Sequence, residues 1–147
     1  MSVDSTEILI KIRKIVRSVN LESKKIQKEY GVSIPQILAL EYLNRADNYQ
    51  ATQRQLREYL NLNSSTVTGI INRLEKKGFI ARLPKRDDKR TTHIVMTSKG
   101  SNLLKKTPSL LHEKLTKKLE HVSDDHTSDI NEALNLIIHY LGIDDVD

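Results

Sequence analysis

The chain of 147 residues has no cysteine and no tryptophan, and aromatic residues make up only 4% of it. Without cysteine there is no disulfide framework, no thiol redox switch and no thiolate-ligated zinc. Aromatics this sparse argue against a platform that stacks single-stranded bases. No apolar run approaches the roughly 20 residues that span a bilayer, so no membrane partner is expected. The opening M-S-V-D-S-T-E has an early acid and none of the pattern of a secretory leader, so a cytoplasmic location is expected. The patterns G-x-G-x-x-G, G-x-x-x-x-G-K-[ST] and G-x-S-x-G are all missing. His93, His112, His121, His126 and His139 show no H-x-x-x-H spacing and read as surface or packing residues. No enzymatic activity, metal site or cofactor is therefore expected.

What is present is an ordinary globular composition, 37% hydrophobic and 29% charged, in a length that suits one domain with a real core. The net charge is a modest +5, but it is unevenly placed. Residues 73–90, R-L-E-K-K-G-F-I-A-R-L-P-K-R-D-D-K-R, hold eight Lys/Arg and three Asp/Glu, and the rest of the chain is neutral. A charge run usually marks a solvated face; the whole excess in one 18-residue segment points instead to a polyanion partner.

The periodicity is mostly helical. Asp4 and Glu7 suit a capping box that opens a helix towards Tyr30, with Ile8, Ile12, Ile15, Val19 and Ile26 at three-to-four spacing. After Gly31, Ser33 suits the cap of a second helix that buries Ile34, Leu38, Leu40 and Leu43, followed by the polar loop R-A-D-N-Y-Q. Thr52 and Gln55 form a second capping box for a short helix through Leu60. A tight turn, Asn61-Leu62-Asn63, then leads into a helix capped by Asn63 or Ser64 and stopped by Gly78. F-I-A-R-L and T-T-H-I-V-M-T read as two strands around an exposed tip, P-K-R-D-D-K-R. From Ser98 helix returns with Leu103, Leu104, Leu111, Leu115 and Leu119, broken near Pro108. Ser123 with Asp124 and Asp125 caps a last helix carrying Ile130, Leu134, Ile137 and Leu141.

The helix S-S-T-V-T-G-I-I-N-R-L-E-K contains a glycine that costs it about 1 kcal/mol relative to alanine. At about 100° per residue, Val67, Ile70, Ile71 and Leu74 fall in one apolar stripe. Ser65, Gly69, Asn72 and Lys76 lie opposite, flanked by Thr68 and Arg73. A glycine on the outer face permits close backbone approach to a ligand; an incidental surface glycine is the plainer alternative. Short helix, tight turn and second helix make a helix-turn-helix, whose second helix enters the major groove of double-stranded DNA. Thr52 and Arg54 on the first helix, and Asn63, Ser64 and Thr66 at the start of the second, complete this candidate surface. The two strands and basic tip make a wing: Arg86 and Arg90 suit the minor groove, and Lys85 and Lys89 suit phosphates. Asp88 is placed to orient Arg90, while turn chemistry explains Asp87 and Asp88 equally well.

Three stretches, T-Q-R-Q-L-R-E-Y-L, S-S-T-V-T-G-I-I-N-R-L-E-K-K-G-F-I-A-R and D-K-R-T-T-H-I-V-M-T-S-K-G, resemble the core of the multiple-antibiotic-resistance regulator (MarR) family. Lys85 departs from the pattern, since many members carry an acid there. The resemblance implies a mainly α fold of the α+β class, one domain over residues 1–147. A winged helix-turn-helix core at 33–100, with a two-stranded wing, is flanked by dimerisation helices at 4–30 and 101–142. It further implies a homodimeric transcriptional regulator, a repressor by expectation, on palindromic operators. Small aromatic or other anionic effectors act on many members. Nothing in the residues specifies one here, and Tyr30, Tyr42 and Arg17 read as core tyrosines and a solvated arginine sooner than as a pocket. Dimerisation has separate support: Ile8, Ile12, Ile15 and Val19, with Leu111, Leu115, Ile130, Leu134, Ile137 and Leu141, exceed what a winged helix of about 70 residues can cover. Two other classes stay open. A protein-docking winged helix would bind no DNA tested, and a sequence-indifferent architectural protein would bind operator and scrambled DNA equally.

Overall fold

The computed structural model describes residues 2–84 and 91–145, and the chain divides into two compact units between Thr107 and Pro108. The first holds α1 (Ser5–Tyr30), α2 (Ile34–Arg45), a 3-10 turn (Asp47–Tyr49), β1 (Gln50–Thr52), α3 (Gln53–Leu60), α4 (Ser64–Lys76), β2 (Ile80–Arg82), β3 (His93–Met96) and α5 (Ser98–Lys106). The second holds α6 (Leu111–Leu119) and α7 (Asp124–Leu141). The break expected near Pro108 thus separates α5, which packs with α2 in the first unit, from α6.

Local chemistry sets most boundaries. The Asp4 carboxylate accepts from the Glu7 N–H at 2.9 Å, but the reciprocal half of the expected box is not made, because Glu7 pairs with Lys11 at 3.3 Å. Complete boxes open α2 (Ser33 with Gln36) and α3 (Thr52 with Gln55). Asn61, at φ 53°, turns the chain between α3 and α4, and Asn63 caps α4. Gly78, at φ 82°, ends the run, its N–H donating to the Glu75 carbonyl at 3.0 Å. Most residues strain at that positive φ.

The sheet has three strands in the order β1-β3-β2, all antiparallel. The expected pair, β2 and β3, is present with Arg82 opposite Ile94. The expected two-stranded wing stands, and a third strand joins it: the end of the R-A-D-N-Y-Q loop forms β1, with Ala51 opposite Ile94. Three residues with one buried side chain show no alternation; β1 exists because β3 offers it partners.

The core of the first unit joins Ile37, Leu40 and Leu43 of α2 to Leu56, Val67, Ile71, Leu74 and Ile94, all buried. Ile34 and Leu38, expected in the core, are only half-buried, and Gln36 is buried instead as the capping partner of Ser33. At Gly100 a Cβ would stand 2.3 Å from the Phe79 carbonyl oxygen, so only glycine lets α5 start against β2. Two helices keep apolar side chains in water: Ile8, Ile15 and Val19 on α1, and Ile130, Leu134 and Leu141 on α7, are exposed. Leu115 is exposed too, while Ile12, Leu111 and Ile137 are half-buried. No helix among the described residues is long and apolar enough to cross a membrane.

Candidate nucleic-acid interface

The sequence of α4 divides it into two faces. Val67, Ile70, Ile71 and Leu74 are buried, while Ser65, Asn72 and Lys76 opposite them are exposed and Gly69 is half-buried. The helix begins at Asn63, whose Oδ1 accepts from the Thr66 N–H at 2.8 Å and from the Ser65 hydroxyl at 3.0 Å. Ser64, Ser65 and Thr66 are exposed around that terminus, where the helix dipole favours an anion such as a phosphate. Among the described residues no packing calls for the glycine: the atoms nearest a Cβ at Gly69 are those of the Arg73 guanidinium, with Nη1 at 3.4 Å. Arg73 therefore lies back across the exposed backbone of the helix.

The structure assigns Thr68 an internal task. Its hydroxyl donates to the Ser64 carbonyl at 2.8 Å and accepts from Gln53 Nε2 at 2.7 Å, so its one hydrogen is already used. Thr52 is likewise the cap of α3, its hydroxyl accepting from the Gln55 N–H at 3.1 Å. Arg54 is exposed and pairs with Glu58 at 3.2 Å, a solvated i,i+4 contact that a phosphate can replace at little cost. Between the starts of α3 and α4 lies an open depression of about 570 Å³, lined by Thr52, Gln53, Arg54, Arg57, Ser64, Val67, Thr91 and Thr92. Thr91, Thr92 and Arg57 were not singled out in the sequence; the strand pairing of β3 with β1 is what carries the two threonines there.

Arg82 is a further residue without a sequence signal. From β2 it forms an ion pair with Glu75 and donates from Nη2 to Asn72 Oδ1 at 2.7 Å, linking the wing strand to the exposed face of α4. Glu75 and Arg82 stand seven residues apart across the Gly78 turn, and only the fold brings them together. The wing residues Lys85, Arg86, Asp88, Lys89 and Arg90 lie outside the described residues. On either side of them the strands are paired, with the Leu83 N–H donating to the His93 carbonyl at 2.9 Å.

A short helix, a turn and an outward polar helix, followed by a strand pair against β1, define a winged helix-turn-helix protein. Residues 32–92 match the model of the MarR family. Over 137 residues, 93% of this chain and 84% of the relative, the sequence is 25% identical to the uncharacterized HTH-type transcriptional regulator YfiV of Bacillus subtilis. It is 30% identical over 91 residues, 61% of this chain and 52% of the relative, to the transcriptional repressor MprA of Escherichia coli. The fold is similar to that of Sco3205, a MarR family transcriptional regulator from Streptomyces coelicolor solved in complex with DNA. That likeness has a TM-score of 0.67 at 18% identity and covers 96% of this chain and 91% of the other. Over residues 32–92 the chain is similar to the MarR family, and its fold is that of a MarR family regulator solved with DNA.

Proposed function

We propose that this protein regulates transcription by binding a pseudo-palindromic operator in double-stranded DNA as a homodimer, with α4 in the major groove and the wing beside it. The observation that carries the reading is the outward face of α4. It combines short polar side chains with a glycine that no packing among the described residues requires, and it leads into the segment that holds the chain's whole charge excess. Asn63, Ser64, Ser65, Thr66, Gly69, Asn72, Arg73 and Lys76 supply that face. Thr52 and Arg54 flank it, and Lys85, Arg86, Lys89 and Arg90, with Asp88 orienting Arg90, act from the wing. Thr68 contributes by fixing the helix start.

A second copy of the chain suits the exposed apolar residues of α1 and α7, which water would otherwise face at roughly 25 cal/mol per Å². Two-fold symmetry then presents two α4 helices to successive major grooves. Repression is the direction we infer, in keeping with relatives that carry the name of a repressor. Footprinting on the protein's own upstream DNA tests the reading. Two protected half-sites centred about one helical turn, roughly 10–11 bp, apart are expected. Protection of one asymmetric half-site by one subunit would overturn it.

A further inference from the structure

The one arginine of α4 is Arg73, and its guanidinium is uncommitted. Arg82 is paired with Glu75 and donates to Asn72, and Arg54 is paired with Glu58. Arg73 is exposed, and among the described residues its guanidinium has no hydrogen bond or ion pair. Residue 73 stands on the flank of the helix, but its guanidinium does not. Nη1 lies 3.4 Å, and Cζ and Nη2 lie 3.8 Å, from where a Cβ at Gly69 would be. Gly69 is about one turn nearer the N-terminus and, with Ser65 and Lys76, lies opposite the buried stripe of Val67, Ile70, Ile71 and Leu74. Helix side chains lean toward the N-terminus, the end that reaches base edges in the major groove. The fork of Arg73 therefore rests low on the middle of the outward face, over the one position of α4 that has no side chain.

A guanidinium has donors only, in a planar fork that meets two acceptors side by side. Guanine presents two acceptors, N7 and O6, on its major-groove edge and no donor. Adenine sets a donor beside its N7, thymine offers one acceptor beside a methyl, and cytosine offers a donor. Phosphates also accept from such a fork, but they line the groove walls, which the flanks of a helix meet; the middle of its outward face meets the base edges. We propose that Arg73, seated across Gly69, reads a guanine in each half-site of the operator. This rests on the reading of α4 as the helix in the major groove.

The test begins with selection of bound duplexes from a random library by the full-length wild type, Arg73→Ala and Arg73→Gln, with melting temperature measured for each. The wild type is expected to enrich a palindromic motif, and both variants to lose the preference for guanine at one position per half-site. Affinities for the selected duplex, and for one with that G·C pair changed to A·T in a single half-site, then complete a cycle. The change should cost the wild type about tenfold and Arg73→Ala less than about twofold. A wild type that enriches no motif overturns the sequence-specific reading itself. Three results overturn the role of Arg73 and leave the operator reading standing. The Arg73-dependent position selects a pair other than G·C; no position depends on Arg73; or Arg73→Ala weakens both duplexes by the same factor, the mark of a phosphate contact. Should Arg73→Ala melt too low to use, Arg73→Gln carries the same comparison: loss of the guanine preference supports the inference, and its retention overturns it.

Discussion

Gln53 and Thr68 tie the two helices of the helix-turn-helix together: the Gln53 amide donates to the Thr68 hydroxyl at 2.7 Å, and that hydroxyl donates onward to the Ser64 carbonyl at 2.8 Å. The relay runs from the first turn of α3 to the first turn of α4, so one hydroxyl links the starts of the two helices. Thr68→Val keeps the shape and removes the relay, and should cost about 1 kcal/mol of stability in urea unfolding. Thr68→Ser should recover most of it. Equal midpoints for Thr68→Val and the wild type would show that the relay is dispensable.

Gly100→Ala places a methyl 2.3 Å from the Phe79 carbonyl oxygen and 3.0 Å from Met96 Cγ, and the nearer contact is backbone, which cannot swing aside. Overpacking of this kind should destabilise the fold by about 1–3 kcal/mol. Calorimetric melting of the variant beside the wild type reads this directly, and an unchanged melting temperature would mean that α5 shifts at no cost.

At Gly69 the expectation has the opposite sign for stability. The atoms nearest the added methyl are those at the mobile end of Arg73, so Gly69→Ala should stabilise the protein by up to about 1 kcal/mol through helix propensity. Operator affinity should nonetheless fall, while affinity for scrambled duplex changes little because phosphate contacts dominate it. A variant that melts higher and binds its operator as tightly as the wild type would remove the glycine from the DNA surface.

Replacing Arg86 by alanine should lower the magnitude of the log-affinity against log-salt slope by about one unit per subunit that contacts a phosphate. Titrations of one operator duplex at a series of salt concentrations measure it. A slope equal to that of the wild type would place Arg86 off the DNA.

Much of this arrangement was legible in the residues because local chemistry and burial agree there. The stripe Val67, Ile70, Ile71 and Leu74 is buried as its spacing requires, and Thr52 with Gln55 caps α3 as a box. What escaped was set by distant partners. β1 is a strand only because β3 lies beside it, and three residues carry no period of their own. Arg82 looks like any basic residue in a basic segment until the Gly78 turn folds it onto Glu75 and Asn72. Thr68, on the polar flank of its helix, was read as facing outward. Its half-buried hydroxyl turns instead to Gln53, and a helical projection cannot show that neighbour.

The placement of β3 between β1 and β2 also has a consequence for how the chain assembles as it is made. Gln50 pairs with Val95 and Ile80 with Met96, while β1 and β2 are not paired with each other. Both outer strands therefore wait, unpaired, for the last strand to leave the ribosome, and joining β1 to β3 closes a long loop at the entropic cost such closures carry. A nascent chain halted ahead of His93 would hold α3 and α4 without the strand that carries Ile94 into the core, and sensitivity to protease should drop abruptly once Met96 is free of the exit tunnel.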